Sequence, residues 1–321
     1  MERDIARRKY DVLCIGVALL DNIVQGFDPN PISVSGYRAE SSTLNVGGEA
    51  VNESITLAKL GVNVGILCFL GEDQAGMIVQ SELKNHSVGT DMIQWKKEHT
   101  TPVTTMLVRK DGSRHSINNP AHMYNFHPET VDIIPHVSMA VLLGSLFRAP
   151  FDDPKIIRSV AAAAKSQGLL TIADTKLPNF RTLTLKEISD ALPLIDYITP
   201  NEDEARYYTG KEDPEEMAKA FLDHGVRNVI IKLGRKGCYF RNAEEAFLVP
   251  GLEVPAVVDT TGAGDNFIAG FVSEILQGTP IRQALVFANA CGAICSTAAG
   301  ACSALKDREQ ILTFLRDHQR G

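Results

Sequence analysis

The chain has 321 residues, 44% of them hydrophobic and 22% charged, which is ample to bury a core as one large α/β domain or two smaller ones. A net charge of −7 argues against nucleic acid as a partner, because a phosphate backbone needs a basic stripe. Met1–Lys9 is charged rather than apolar, and the run Val12–Val24 is broken by Asp21 and Asn22, so neither a signal peptide nor a membrane partner is expected.

Apolar strand-like runs occur at Val12–Gly16, Val64–Leu70, Ala140–Leu143, Leu169–Asp174, Tyr197–Thr199 and Val229–Leu233. Between them lie amphipathic stretches such as Asn52–Leu60, Ile156–Ser166 and Pro214–His224. This alternation predicts an α/β fold with a mostly parallel central sheet and helices on both faces. Two stretches break the rhythm. Residues 23–44 hold strand-like pieces with Gly and Pro, and residues 101–118 alternate around Lys110-Asp111-Gly112-Ser113, a hairpin signal. Cysteines stand at 14, 68, 238, 291, 295 and 302 with no C-x-x-C pair, which fits free buried thiols in a reducing compartment and a cytoplasmic location. Cys291 and Cys295 are one helical turn apart but lack His or Cys partners at zinc spacing, so core packing is the expectation. His115, His122 and His127 are irregularly spaced in a polar stretch and read as solvated loop.

The most informative segment is Asp259-Thr-Thr-Gly-Ala-Gly-Asp265, followed by the helical pattern Phe267–Leu276. Bare amides at a helix N-terminus, on the positive end of its dipole, make an anion site. Asp265 adds a carboxylate beside it. The dinucleotide fingerprint fails because Phe267 stands where its third glycine belongs, and Walker A fails because Gly210-Lys211 is followed by Glu212. An anion beside a candidate base suggests phosphoryl transfer to a hydroxyl, in which positioning and charge stabilisation do most of the work.

Other motifs stand in order along the chain: Gly16-Val-Ala-Leu-Leu-Asp21, Gly47-Gly48-Glu-Ala-Val-Asn52, Gly71-Glu-Asp73-Gln-Ala-Gly76, Asn201-Glu-Asp-Glu204 and Lys232-Leu-Gly234-Arg-Lys-Gly237. Together with the segment ending at Asp265 they resemble the ribokinase-like (PfkB) carbohydrate kinases over nearly the whole chain. The resemblance implies one kinase domain over residues 1–321, with a discontinuous β lid from about 23–44 and 101–118 that covers the sugar and often forms a homodimer contact. It implies an ATP-dependent kinase acting on a primary hydroxyl of a free sugar. Asp265 would be the general base, and the Gly262–Gly264 loop the anion hole, with the amides of Ala263, Gly264 and Asp265 as its donors. Asp21, Gly47, Gly48 and Asn52 would hold the acceptor. Asn201 and Glu204 would order Mg²⁺ through water, and as an N-cap and an N3 residue they also suit a capping box. Lys232, Gly234 and Gly237 would border the nucleotide, with Asn289 near its base. Asp21 is expected to belong with the first strand. Asp259, Thr261 and Gly300 would line a monovalent cation (K⁺) site.

At Ala173-Asp174-Thr-Lys176-Leu-Pro178-Asn-Phe-Arg181, Lys176 replaces the Asn of a D-x-N-x-R sugar-kinase pattern and the Ser of a phosphosugar-kinase D-x-S-G. That departure points to a sugar-kinase branch matching neither pattern. A nucleoside kinase of the same family is the alternative, and a non-catalytic metabolite-binding protein on the same fold a further one. Aromatics are 7% of the chain, with Phe27, Tyr37, Trp95 and Tyr124 near the lid, which leans toward sugar over a nucleobase.

Overall fold

Alternate residues of the central strands feed two separate apolar layers. In the strand Val137–Leu146, Val141 and Leu143 enter one buried cluster while Ala140 and Leu142 enter the other. Val229 and Ile231 against Ile230 do the same in Asn228–Lys232. A strand buried on both faces in this way belongs to a sheet sandwiched by helices. The computed structural model describes residues 8–27, 38–111, 113–119, 127–179 and 181–318. Gly112 of the expected hairpin, Tyr37, His122, Tyr124 and Phe180 lie outside them.

The first half of the chain forms β1 (Tyr10–Ile15), β2 (Leu19–Gln25), β3 (Ser41–Gly47), α1 (Glu49–Lys59), β4 (Val64–Leu67), β5 (Phe69–Gly71) and α2 (Gln74–Asn85). Next come β6 (Gln94–Lys96), β7 (Val103–Val108), β8 (Arg114–Asn118), β9 (Val137–Leu146), α3 (Pro154–Ser166) and β10 (Leu170–Thr175). The remainder forms β11 (Tyr197–Thr199), α4 (Glu202–Thr209), α5 (Pro214–Asp223), β12 (Asn228–Lys232), β13 (Gly237–Arg241) and β14 (Ala246–Pro250). The last helices are α6 (Ala263–Ile275), α7 (Ile281–Cys295) and α8 (Arg308–His318).

Eight strands build the main sheet in the order β14-β13-β12-β11-β10-β9-β1-β4, parallel except where β13 and β14 form an antiparallel edge. On one face α3 and α5 supply Ile157, Val160, Met217 and Phe221; on the other α1, α6 and α7 supply Val51, Ile55, Phe271 and Leu285. Ends of parallel strands converge at one edge of such a sheet, where sites form.

The run Val64–Leu70 is two strands rather than the predicted one. Gly16 N closes the β1–β4 ladder on Leu67 O at 3.2 Å, so nothing is left there for residues 69–71, which pair with β6 instead. A second sheet, β3-β2-β7-β8, stands apart from the first. Its strands begin at Leu19, earlier than the expected residue 23. Asp21 therefore sits in β2, not with the first strand, which ends at Ile15. All six cysteines are free; Cys291 and Cys295 are buried, and the Cys295 thiol donates to Thr261 O and Ala301 O at 3.4 and 3.3 Å. His115 lies on exposed β8, and His127 pairs with Glu129 at 3.0 Å. No helix among the described residues is long and apolar enough to cross a membrane.

Candidate active site

Two glycine turns bring two helix N-termini together. Gly48 has φ +94°, and a Cβ there would fall 2.4 Å from Val17 O; at Gly47 it would fall 2.4 Å from Asp21 Oδ2. Only glycine lets the start of α1 approach β2 this closely. At the other turn Gly262 has φ +77°, with space for a Cβ already filled by Ala301 at 2.5 Å. The helix α6 starts there without a side-chain cap. Ala263 N already donates to Thr260 O at 3.2 Å, so the amides left for a ligand are those of Gly264 and Asp265. This narrows the expected anion hole by one donor. Asn52, buried on α1, donates through Nδ2 to Asp265 Oδ2 at 2.7 Å and joins the two turns.

Strand ends supply the charges. Lys232, expected as an exposed strand-end lysine or a phosphate contact, is 12% exposed, with Nζ 2.6 Å from Asp174 Oδ1. Thr199 Oγ1 donates to the same oxygen at 2.9 Å. A Cβ on Gly264 would lie 3.3 Å from Lys232 Nζ, so this ammonium borders the anion turn. Asn201 and Glu204 form a capping box: Asn201 Oδ1 accepts from Glu204 N at 2.9 Å, and Glu204 Oε2 from Asn201 N at 2.9 Å. Thr175 Oγ1 and Asn201 Nδ2 also donate to Glu204, at 2.7 and 2.8 Å. Lys176 stands 3.6 Å from Glu49 Oε1 and 3.8 Å from Asp265 Oδ1.

Burial, together with Glu49 and Asp174, raises the Asp265 carboxyl above the ordinary aspartate value, with Lys176 and the Asn52 bond pulling the other way. Burial disfavours the Lys176 ammonium, but the surrounding carboxylates outweigh it and hold the charge. Asp21 is pushed up to about 6 by burial and by Glu49. Asp259 is drawn down to about 2: burial opposes the shift, but donors from Thr261, Gly300 and Arg114 overcome it.

Asp265, Lys176 and Asp21 face one cavity of about 850 Å³. Asp21, Gly48, Asn52, Asn201, Glu204, Lys232, Gly234, Thr261, Gly262, Gly264 and Asp265 all line it. Gly47 lies directly behind Asp21, and Ala263 is turned into its own loop. Asp259 and Gly300 meet behind the anion turn, where Gly300 N donates to Asp259 Oδ2 at 3.1 Å. Gly237 and Asn289 sit away from the cavity: Gly237 starts β13, and Asn289 Nδ2 donates to Pro250 O at 3.0 Å. The Gly71–Gly76 motif is also elsewhere, with Asp73 capping α2 and accepting from Thr101 N at 2.7 Å.

Sequence reasoning missed four charged groups here. Glu49, Glu53 and Asp174 gather around Lys176 and Asp265. Arg114 crosses from the small sheet to Thr261 Oγ1 and Asp259 Oδ1, both at 3.1 Å. The one available signal was the unusual lysine at 176, since an ammonium beside a reactive carboxylate needs neighbours to balance it.

A family model described as pfkB family carbohydrate kinase matches residues 10–308. A ribokinase of Haemophilus influenzae is 27% identical over 275 residues, covering 84% of this chain and 87% of that protein. A 2-dehydro-3-deoxygluconokinase of Bacillus subtilis is 28% identical over 287 residues, covering 86% and 89%. The structure of Arabidopsis thaliana ribokinase complexed with ribose and ATP matches with a TM-score of 0.83 at 26% identity, over 96% of this chain and 99% of that one. The chain belongs to the pfkB family of carbohydrate kinases, with a ribokinase-like fold and phosphoryl transfer to an alcohol group of a sugar as its reaction.

Proposed function

We propose that the chain is an ATP-dependent kinase that phosphorylates a primary hydroxyl of a free sugar or closely related carbohydrate. The observation that carries this reading is Asp265: buried, fixed by Asn52 at 2.7 Å, and set in the first turn of α6 beside free amides. A hydroxyl becomes an effective nucleophile as a base takes its proton. Asp265 takes that proton while the acceptor oxygen attacks the γ-phosphorus and the bond to ADP breaks. Its raised proton affinity suits the task. The Gly262–Gly264 turn receives the charge growing on the phosphoryl oxygens through the amides of Gly264 and Asp265 and the α6 dipole. Lys232, beside Gly264, adds a fixed positive charge.

Asp21 and Asn52, with Gly47 and Gly48 behind them, bind acceptor hydroxyls under the small sheet, which acts as a lid within a single kinase domain. The oxygen-rich pair Asn201 and Glu204 fits magnesium held through water, because both Glu204 oxygens already accept hydrogen bonds and direct ligation would break them. Bound there, Mg²⁺ would neutralise nucleotide phosphate charge. Asp259, Thr261 and Gly300 are gathered closely enough to border a K⁺ ion. Asp259 itself is taken up by N–H and O–H donors, so main-chain oxygens would be the ligands. Gly234 would border the nucleotide. Exposed Leu44 and Ile117 on the small sheet are the surface we assign to homodimer contact.

None of the described residues lining the cavity is aromatic, which favours a sugar over the flat base of a nucleoside. Release of ADP, measured across sugars, sugar acids, polyols and nucleosides, tests this function. A response confined to nucleosides overturns the acceptor class, and no response to any of them overturns the reading.

A further inference from the structure

Glu53 is a carboxyl with no ion pair of its own among the described residues. It lies on α1, fully buried, and neither oxygen has a hydrogen-bond partner among the described residues. One oxygen of Glu53, one of Asp174 and one of Asp265 lie within 4.8 Å of one another. Asp174 has the Lys232 ammonium at 2.6 Å and Asp265 has Lys176 at 3.8 Å, while no cation among the described residues pairs with Glu53. The remaining titratable groups that bear on the cluster add no balance: Glu49 on the same helix, Cys14 on β1 and Glu204 on α4. Three ionised carboxylates this close and this dry are strongly unfavourable. A divalent cation would resolve the conflict, but the two lysines already stand where its charge would be needed. A proton fits the space that is left.

We propose that Glu53 is held as a neutral carboxylic acid whose O–H donates into the Asp174–Asp265 pair, so that it positions Asp265 as a charged member of the cluster beside Asp174. The inference rests on the reading of Asp265 as the base. Burial, then Asp174, Asp265 and Glu49, raise the Glu53 carboxyl well above the ordinary glutamate value, and Lys176 only partly opposes them. Asp174 also keeps a buried oxygen, Oδ2, with no hydrogen-bond partner among the described residues, able to accept a hydrogen bond from the Glu53 O–H. Glu53 is thus a positioning residue that works through Asp265, without touching the acceptor.

The test is carbon-13 NMR of the full chain labelled at the glutamate and aspartate carboxyls, with Glu53→Gln and Asp265→Asn assigning the two signals. At neutral pH Glu53 should show the shift of a protonated acid. In Glu53→Gln, which keeps the shape and a donor, the Asp265 midpoint should stay within about half a pH unit of the native value. In Glu53→Ala the loss of a donor moves that midpoint up, whereas the loss of a like charge would move it down. A downward move, or an ionised Glu53 signal at neutral pH, overturns the proposal. So does a Glu53 signal shifted by millimolar MgCl₂ in the absence of nucleotide, which would assign the cluster to a metal. If Glu53→Ala does not fold, the Gln variant and the native signal still decide. Because no substrate is used, Asp265→Asn that kept its turnover would sink the base assignment without touching this result.

Discussion

In the proposed reading the cavity has a phosphate end and an acceptor end, and the two are built on different principles. The phosphate end is mostly backbone: a glycine turn, free amides and a capped helix start, each local in sequence. The acceptor end is mostly side chain, with Asp21 from the small sheet, Asn52 and Glu49 from α1 and Lys176 from the loop after β10 meeting only in three dimensions. An end made of backbone gives a catalyst for one reaction; an end made of scattered side chains gives a specificity that each chain can alter. The contrast predicts that changes at one end should leave the other intact.

The largest break should come at the junction. Asp265→Asn is expected to lower kcat by about 10²–10⁴ while ATP binding, followed by calorimetry, persists. Turnover within threefold of the native enzyme would remove Asp265 as the base. At the acceptor end, Asp21→Ala should raise sugar KM by roughly ten- to over a hundredfold, because a lost charged hydrogen bond is worth about 1.5–3 kcal/mol. The KM for ATP should barely move, and an equal rise in both would mean that the ends are not separate.

Acidity sharpens the same division. Asp21 has its proton affinity raised, to about 6, so it is charged above that pH and loses its charge as pH falls through it. Sugar KM should therefore climb below pH 6, by up to about tenfold per unit. In Asp21→Asn that climb should vanish, and a native pH profile in this variant would point to another group. The smallest effect is expected where the ends touch. Arg114 is a half-exposed arginine bonded across to the anion turn, and exposed ion pairs contribute about 0.2–1 kcal/mol. Arg114→Ala should raise both KM values together, by no more than about fivefold. A change confined to one substrate would show that Arg114 belongs to that end alone.

The same contrast explains what could be read from sequence. Gly48, Gly262 and the Asn201–Glu204 box announce themselves because backbone geometry demands those residue types at those spacings. Alternating apolar runs revealed the parallel strands, since burial on both faces leaves a continuous signal. The β13–β14 edge was missed because it is short and irregular in burial, with Leu248 51% exposed. The ring around Lys176 was illegible for another reason. Glu49 and Glu53 are one helical turn apart on α1, but no spacing links them to Asp174 or Asp265; the order of strands in the sheet brings these elements together. Asp21 was assigned to the wrong strand because its apolar neighbours Leu19 and Leu20 extend the pattern of β1 past the break at Gly16.

The hydrogen bond from Asn52 to Asp265 joins residues separated by 213 positions, and its consequence lies in how the protein comes to exist. Closing so long a loop carries an entropic cost that nearby contacts do not share, so this contact is expected to form late in folding. During synthesis α1 would precede α6 by about two hundred residues, leaving Asn52 without its Asp265 partner until the later helix is made. A fragment ending before residue 262 lacks the second turn and Asp265, and on the proposed reading should show no turnover. Substrates that favour the joined state would then act as chaperones of the last step, and their concentration in the cell would help set how much mature enzyme accumulates.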